Sequence, residues 1–198
     1  MSASRAPDGS SSTSMYEITM ARPGDLPMLP SIELAAARLL AGHAPECVLA
    51  ETTSQDEFED ARRHGLLWVA RGNDVPVGFA HVTVLESGAA HLEEIDVHPD
   101  HGRRGIGARL VSAVCEWAAR ERYESVTLTT FRDGPWNMPF YERLGFRLIS
   151  SSELSAALRS ILQDEARRGL DPARRVAMRR TVGARPQRGC SEGQHRTY

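Results

Sequence analysis

One stretch of this chain restricts its fold more than any other. Residues 91–97, HLEEIDV, read as a strand stopped by Pro99. The loop HPDHGRRGIGA follows and opens an amphipathic helix from about Arg104 to Arg120. Ile106, Leu110, Val114, Trp117 and Ala118 form its apolar face. SVTLTTF at 125–131 is rich in β-formers and predicts the next strand. Strand, glycine-rich loop, helix and strand in this order call for a sheet with a helix packed on it.

The rest of the chain supplies more of the same. YEITMA, from Tyr16, alternates and predicts a strand. Ile32, Ala35, Ala36, Leu39 and Leu40 fall at helical spacing. Ser54-Gln55-Asp56-Glu57 is a capping box, so a second helix starts there and ends near Gly65. LLWVAR (66–71) and VPVGFAHVTVLE (75–86) are strands around the hairpin signal Gly72-Asn73-Asp74. A short helix from about Asn137 to Leu144 closes on Gly145, with apolar Phe146 behind it. FRLIS (146–150) predicts a strand, and Leu154, Ala157, Leu158, Ile161 and Leu162 a further helix. RVAMRR (175–180) is a closing strand. The order β-α-α-β-β-β-α-β-α-β-α-β predicts an α/β (α+β) fold with a mixed sheet. Residues 1–14 are Ser/Gly/Pro-rich and read as a disordered leader, with Met15 a second candidate start. Residues 183–198 have almost no apolar content and read as a disordered tail, which leaves one folded domain over 15–182.

Charge and composition exclude several functions. The 198 residues carry a net charge of −2, which disfavours a generally basic nucleic-acid binder. Residues 1–100 hold 6 Arg against 16 acidic residues, and residues 101–198 hold 18 Arg against 10. There is no Lys at all. An Arg-rich half suits phosphate recognition, and a bias toward Arg accounts for it equally well. The 3 Cys are odd in number and far apart, with neither metal-ligand spacing nor a disulfide framework, so a cytoplasmic location is expected. No apolar run is long enough for a membrane helix, and the N-terminus lacks the apolar core of a signal peptide.

The loop at 103–108 carries readable chemistry. The N–H groups at a helix start are unspent, and the positive end of the helix dipole lies there. Glycines let backbone approach an anion, and two arginines add charge. Arg103, Arg104, Gly105, Ile106, Gly107 and Ala108 are therefore expected to hold an anion the size of a pyrophosphate. A Rossmann loop would need a third glycine where Leu110 stands, and a P-loop would need a lysine.

Gly105 and Gly107, followed about thirty residues later by Asn137, Tyr141, Gly145 and Phe146, resemble the two motifs of the GNAT superfamily of N-acetyltransferases. The resemblance covers roughly residues 16–181. Gly102 departs from it, since the family usually has Gln or Arg there, and Arg103 or Arg104 is left to supply the side chain. The resemblance implies a mostly antiparallel sheet of about seven strands, splayed between strands 92–97 and 125–131. It implies acetyl-CoA as donor and no metal. The pyrophosphate would sit on the 103–108 amides. The pantetheine arm would run along Ile95, Asp96 and Val97, using backbone groups of Ile95 and Val97. Asn137 would contact the pantetheine, although it also suits the N-cap of the next helix. Tyr141 would lie at the sulfur as general acid.

Glu93 and Glu94 are the candidate bases. Adjacent strand residues face opposite ways, and the alternative is that both bind the acceptor or are merely solvated. Family members often use the first carboxylate of such a pair, here Glu93. Asp96 shares a face with Glu94 unless a bulge intervenes, and together they would attract a cationic amine. His81 and His91 read as satisfied strand residues, and Cys115 as buried and inert. His98 and His101 flank the anion loop. Phe131, Arg132, Asp133 and Trp136 either line the acceptor pocket or pack their loop. The expected reaction is direct acetyl transfer to a primary amine in a ternary complex, without a covalent enzyme intermediate. The acceptor is expected to be a small molecule. A protein N-terminus or lysine, or a non-catalytic CoA sensor, are the alternatives. No nucleic-acid or membrane partner is expected, and a homodimer is left open.

Overall fold

The structure, a computed structural model, describes residues 15–85, 88–134 and 137–183. The leader at 1–14, the tail beyond 183 and Trp136 lie outside the described residues.

Seven strands form one sheet in the order β1-β2-β3-β4-β5-β7-β6. They are β1 (Tyr16–Met20), β2 (Leu67–Gly72), β3 (Val75–Val84), β4 (Ala90–Val97), β5 (Ser125–Phe131), β6 (Arg147–Leu148) and β7 (Arg175–Thr181). β4 and β5 are parallel, while β1 with β2, β2 with β3, β5 with β7 and β6 with β7 are antiparallel. The parallel ladder holds two residue pairs, Ala90↔Val126 and His91↔Thr127, and stops there among the described residues. On its other side β5 stays paired with β7 from Ser125↔Thr181 to Phe131↔Arg175. One strand thus keeps one neighbour along its whole length and loses the other, which is the expected splay.

The helices are α1 (Leu29–Ala37), α2 (Glu46–Leu49), α3 (Gln55–Arg63), α4 (Ile106–Arg120), α5 (Met138–Arg143) and α6 (Ala156–Arg167). None among the described residues is long and apolar enough to cross a membrane. The described chain divides into two compact units: 15–81 with 94–111, and 82–93 with 112–183.

In the first unit Leu29, Ile32, Phe58, Leu67, Val69 and Phe79 form the core, with the Phe58 and Phe79 rings edge to face at 5.3 Å. α3 starts as its sequence demands. Ser54 Oγ accepts from Glu57 N at 3.2 Å, and Glu57 Oε2 accepts from Ser54 N at 2.9 Å. Asn73 and Asp74 take φ of 51° and 62°, the pair of left-handed residues that a two-residue hairpin of this hand requires. The β2–β3 register shifts between Ala70 and Arg71. Arg71, 2% exposed, there donates through Nε and Nη2 to Asp25 and also bonds Thr19. A buried guanidinium needs such a bidentate partner. The first helix differs from its expected face. Leu29, Ile32, Glu33 and Ala36 are its buried stripe, and Leu39 is 53% exposed.

The second unit has Val114, Cys115, Ala118, Val126, Leu128, Phe131, Phe146, Val176 and Met178 buried. Ser155 caps α6 by accepting from Leu158 N at 3.2 Å. Glu165, 8% exposed, takes two bonds from Arg175, at 2.8 and 2.7 Å, and one from Thr129 at 2.5 Å. Gly145 ends α5 at φ 85°, the left-handed C′ position. β6 is two residues long, shorter than the expected 146–150.

Candidate active site

β4 leads straight into the loop that the sequence marks. His98 and Pro99–His101 make one tight turn, with His101 N donating to His98 O at 2.9 Å and Gly102 N to Pro99 O at 3.0 Å. Arg103 then takes φ 57° and Gly105 φ 76°. Left-handed residues alternating with their neighbours turn successive N–H groups to one side, the arrangement of an anion nest. The first helical bond out of the loop is Arg109 N to Gly105 O at 3.1 Å. The amides from Arg103 to Ala108 are not spent on other backbone groups among the described residues. The expected anion site therefore has unspent donors at the start of a 15-residue helix. The two arginines part company. Arg104 Nη1 donates to the Tyr16 hydroxyl at 2.7 Å, and Arg103 is exposed without an ion pair or hydrogen bond among the described residues.

Six residues before Gly102, Asp96 belongs to a cluster of carboxyl groups. Glu94 and Asp96 hydrogen-bond to each other through their side chains. They share a face, as strand parity predicts. Two carboxyl groups can bond only if one keeps its proton. Thr53 joins the cluster: its Oγ1 lies 3.2 Å from Glu94 Oε2 and 3.3 Å from Glu33 Oε1. Both oxygens of Glu33 also accept from Thr53 N, each at 3.0 Å.

Burial, with Asp96 and Glu33 nearby, raises Glu94 well above the usual carboxylate range. Asp96 is pushed up to about 7, chiefly by burial. Glu33 is raised as well, again mainly by burial. Glu94 and Asp96 keep a part-exposed rim, yet protein surrounds them closely enough for desolvation to dominate. Neither Glu33 nor Thr53 was visible as a site residue in the sequence. The one signal is a charged residue standing in the buried stripe of α1.

Glu93 lies in the other unit. Its side chain is 47% exposed; Thr83 Oγ1 donates to it at 3.4 Å, and His91 Nε2 stands 4.0 Å away, beyond hydrogen-bond reach. His91 is 1% exposed and its Nδ1 meets Thr127 Oγ1 at 3.0 Å, while that hydroxyl donates to Ala90 O at 3.3 Å. The hydroxyl has one proton, so the His91 ring proton sits on Nδ1. Burial lowers His91 to about 4, so it stays neutral at neutral pH. It is a satisfied strand histidine, as expected. Burial lowers His81 too, with Glu57 opposing. Cys115 is 4% exposed and its thiol is raised by burial, in keeping with an inert residue.

Tyr141 and Asn137 belong to the second unit. The Tyr141 ring packs edge-on against Phe140 at 5.0 Å and Phe146 at 5.8 Å. Asn137 stands at the N-cap of α5 but makes no capping bond with its side chain. Its Oδ1 is instead buried without a hydrogen-bond partner among the described residues. A Cβ on Gly134 would come within 2.7 Å of that oxygen, so only glycine leaves the amide its place. Phe131 is buried under the Arg175 guanidinium, 4.6 Å from its centroid, and Asp133 pairs with Arg174 at 2.9 Å. No group of three or more His, Cys, Asp or Glu among the described residues is arranged to hold a metal ion.

The model of the acetyltransferase (GNAT) family matches residues 34–146. Among solved structures, PaiA N-acetyltransferase from Thermoplasma acidophilum, in complex with coenzyme A, is similar at 15% identity and TM-score 0.66. The match covers 84% of this chain and 98% of that one. The ribosomal-protein-S18-alanine N-acetyltransferase from Escherichia coli is similar at 18% identity and TM-score 0.59, over 87% of this chain and 97% of that one. N-acetylglutamate synthase from Neisseria gonorrhoeae, with coenzyme A and N-acetyl-glutamate, is similar at 20% identity and TM-score 0.62. That match covers 84% of this chain and 35% of that one. At these identities the likeness is one of fold.

Proposed function

The chain belongs to the GNAT family of acetyltransferases, which take their acetyl group from acetyl-CoA, and on that premise we propose that it acetylates a small-molecule primary amine by direct attack. The observation that carries this reading is one strand. β4 bears the Glu94–Asp96 pair and runs directly into the loop with unspent amides.

The chemistry follows from the groups present. A lysine-like amine has a pKa of about 10.4 and arrives protonated. It must lose a proton before its lone pair can attack the thioester carbonyl. A carboxyl pair holding one proton between its two members has one ionised group to accept it, and Asp96 at about 7 matches neutral working conditions. The base is therefore assigned to the Glu94–Asp96 pair rather than to the half-exposed Glu93. The C–N bond forms, the C–S bond breaks, and the Tyr141 hydroxyl gives its proton to the departing thiolate. Arg103 to Ala108 bind the pyrophosphate of the donor, with Ile95, Asp96 and Val97 along its arm. Asn137 Oδ1, a buried acceptor lacking a donor among the described residues, suits an amide N–H of the pantetheine. The carboxyl cluster also favours an acceptor that arrives as a cation.

Thiol release from acetyl-CoA, measured across aminoglycosides, polyamines, amino acids and short peptides, tests the reading. Turnover with a small amine is the expected result. Turnover with peptides alone would replace it with a protein acetyltransferase, and no turnover despite acetyl-CoA binding would favour a sensor. Tyr141→Phe is expected to cost about a hundredfold in kcat while leaving coenzyme A binding unchanged.

A further inference from the structure

Tyr16 stands 88 residues before Arg104, outside both family motifs, yet its hydroxyl is the meeting point of the anion loop. In β1 it pairs across the ladder with Gly72, and a Cβ on that glycine would come within 2.9 Å of the Tyr16 ring. The missing side chain is what lets the ring lie over the neighbouring strand. The ring is buried, 6% exposed, and it meets His101 edge to face at 5.7 Å. A buried phenol needs hydrogen-bond partners for its hydroxyl. The loop supplies two: Arg104 Nη1 at 2.7 Å and His101 Nδ1 at 3.0 Å.

A guanidinium only donates, so the hydroxyl accepts from Arg104, while the direction of its bond with His101 Nδ1 follows the His101 tautomer. His101 lies just before Gly102, and Arg104 lies between the two left-handed residues Arg103 and Gly105. The hydroxyl therefore grips the loop on both sides of its tightest turn.

We propose that Tyr16 is a positioning residue for the donor. Through Arg104 and His101 it holds the 102–105 backbone in the conformation that presents its amides to a pyrophosphate, and it leaves Arg103 as the guanidinium free to reach the anion. The inference rests on the assignment of residues 103–108 to the donor phosphates.

Coenzyme A binding to Tyr16→Phe, followed by calorimetry with inorganic pyrophosphate and pantetheine as competitors, tests it. The ring and its packing on Gly72 remain, so thermal unfolding should stay within a few degrees of the parent. The coenzyme A Kd is expected to rise about tenfold, with the pyrophosphate inhibition constant rising in parallel and that of pantetheine unmoved. A general loss of structure would instead weaken all three. Arg104→Gln should show the same selectivity, and adding Tyr16→Phe to it should cost less than the two single losses summed, because Tyr16 acts in part through Arg104. Additive losses, equal weakening of pantetheine, or no change in Tyr16→Phe would overturn the proposal. Gly105→Ala separates the two levels. If it leaves coenzyme A and pyrophosphate binding intact, the loop assignment itself fails. If it weakens both while Tyr16→Phe weakens neither, only the role of Tyr16 falls.

Discussion

Burial pushes Asp96 up to about 7, well above an ordinary aspartate, while its hydrogen bond with Glu94 pulls it down and raises Glu94. If the pair is the base, its ionised form grows as pH rises, so kcat/KM should climb through an apparent pKa near 7 that belongs to the pair. Asp96→Asn should lower kcat/KM by about a hundredfold and displace that limb, whereas Glu93→Gln should leave the profile's shape intact and the rate within about threefold. A pH–rate series on the three proteins checks this. A large loss in Glu93→Gln alone would return the base to Glu93. Strand parity made the pairing of Glu94 with Asp96 legible in the sequence. Glu33 and Thr53 were not legible, because they reach the cluster from 61 and 41 residues away along the chain. A side chain brought in by tertiary packing leaves no local period. Tyr16 is hidden in the same way, since its partners lie 85 and 88 residues on.

Elements whose signal is local came out as read. The capping box at Ser54, the left-handed turn at Asn73-Asp74 and the glycine stop at Gly145 each depend on a few consecutive residues. Ser54→Ala removes the side-chain acceptor for Glu57 N and should cost about 1 kcal/mol. It should appear as a lower urea midpoint at unchanged slope. The first helix was placed correctly but its buried face was not. Apolar spacing alone counts Leu39 and cannot count Glu33, which is buried because its carboxylate has bonds from Thr53. β6 shrank to two residues because strand length is set by the partner, and only Arg147 and Leu148 find register with β7. The splay between β4 and β5 came from family resemblance and not from any pattern in the residues themselves.

At the scale of the whole molecule, the carboxyl cluster opposes stability at neutral pH. A carboxyl whose pKa is raised by folding stabilises the fold below its unfolded value near 4 and loses that contribution as pH rises through its folded value. For Asp96 the window runs from about 4 to about 7. His91 acts the other way, because its lowered value stabilises the fold above about 6.5 and is lost as pH falls toward 4. Asp96→Asn should therefore gain on the parent protein as pH rises from 4 to 7, with urea unfolding at the two ends as the measurement. A constant difference would mean that Asp96 is not buried as a shared acid. The absence of Lys has its own consequence for an acetyltransferase. Incubated with acetyl-CoA, these 198 residues should gain no N-acetyl group beyond one at the α-amine, as intact mass would show. The two compact units interleave along the chain, since each is built from two separate stretches and the exchanges fall near residues 81, 93 and 111. A ribosome releasing this chain from its N-terminus would thus deliver the first unit complete only after residue 111, with 82–93 of the second already waiting. No single cut in the gene yields either unit alone.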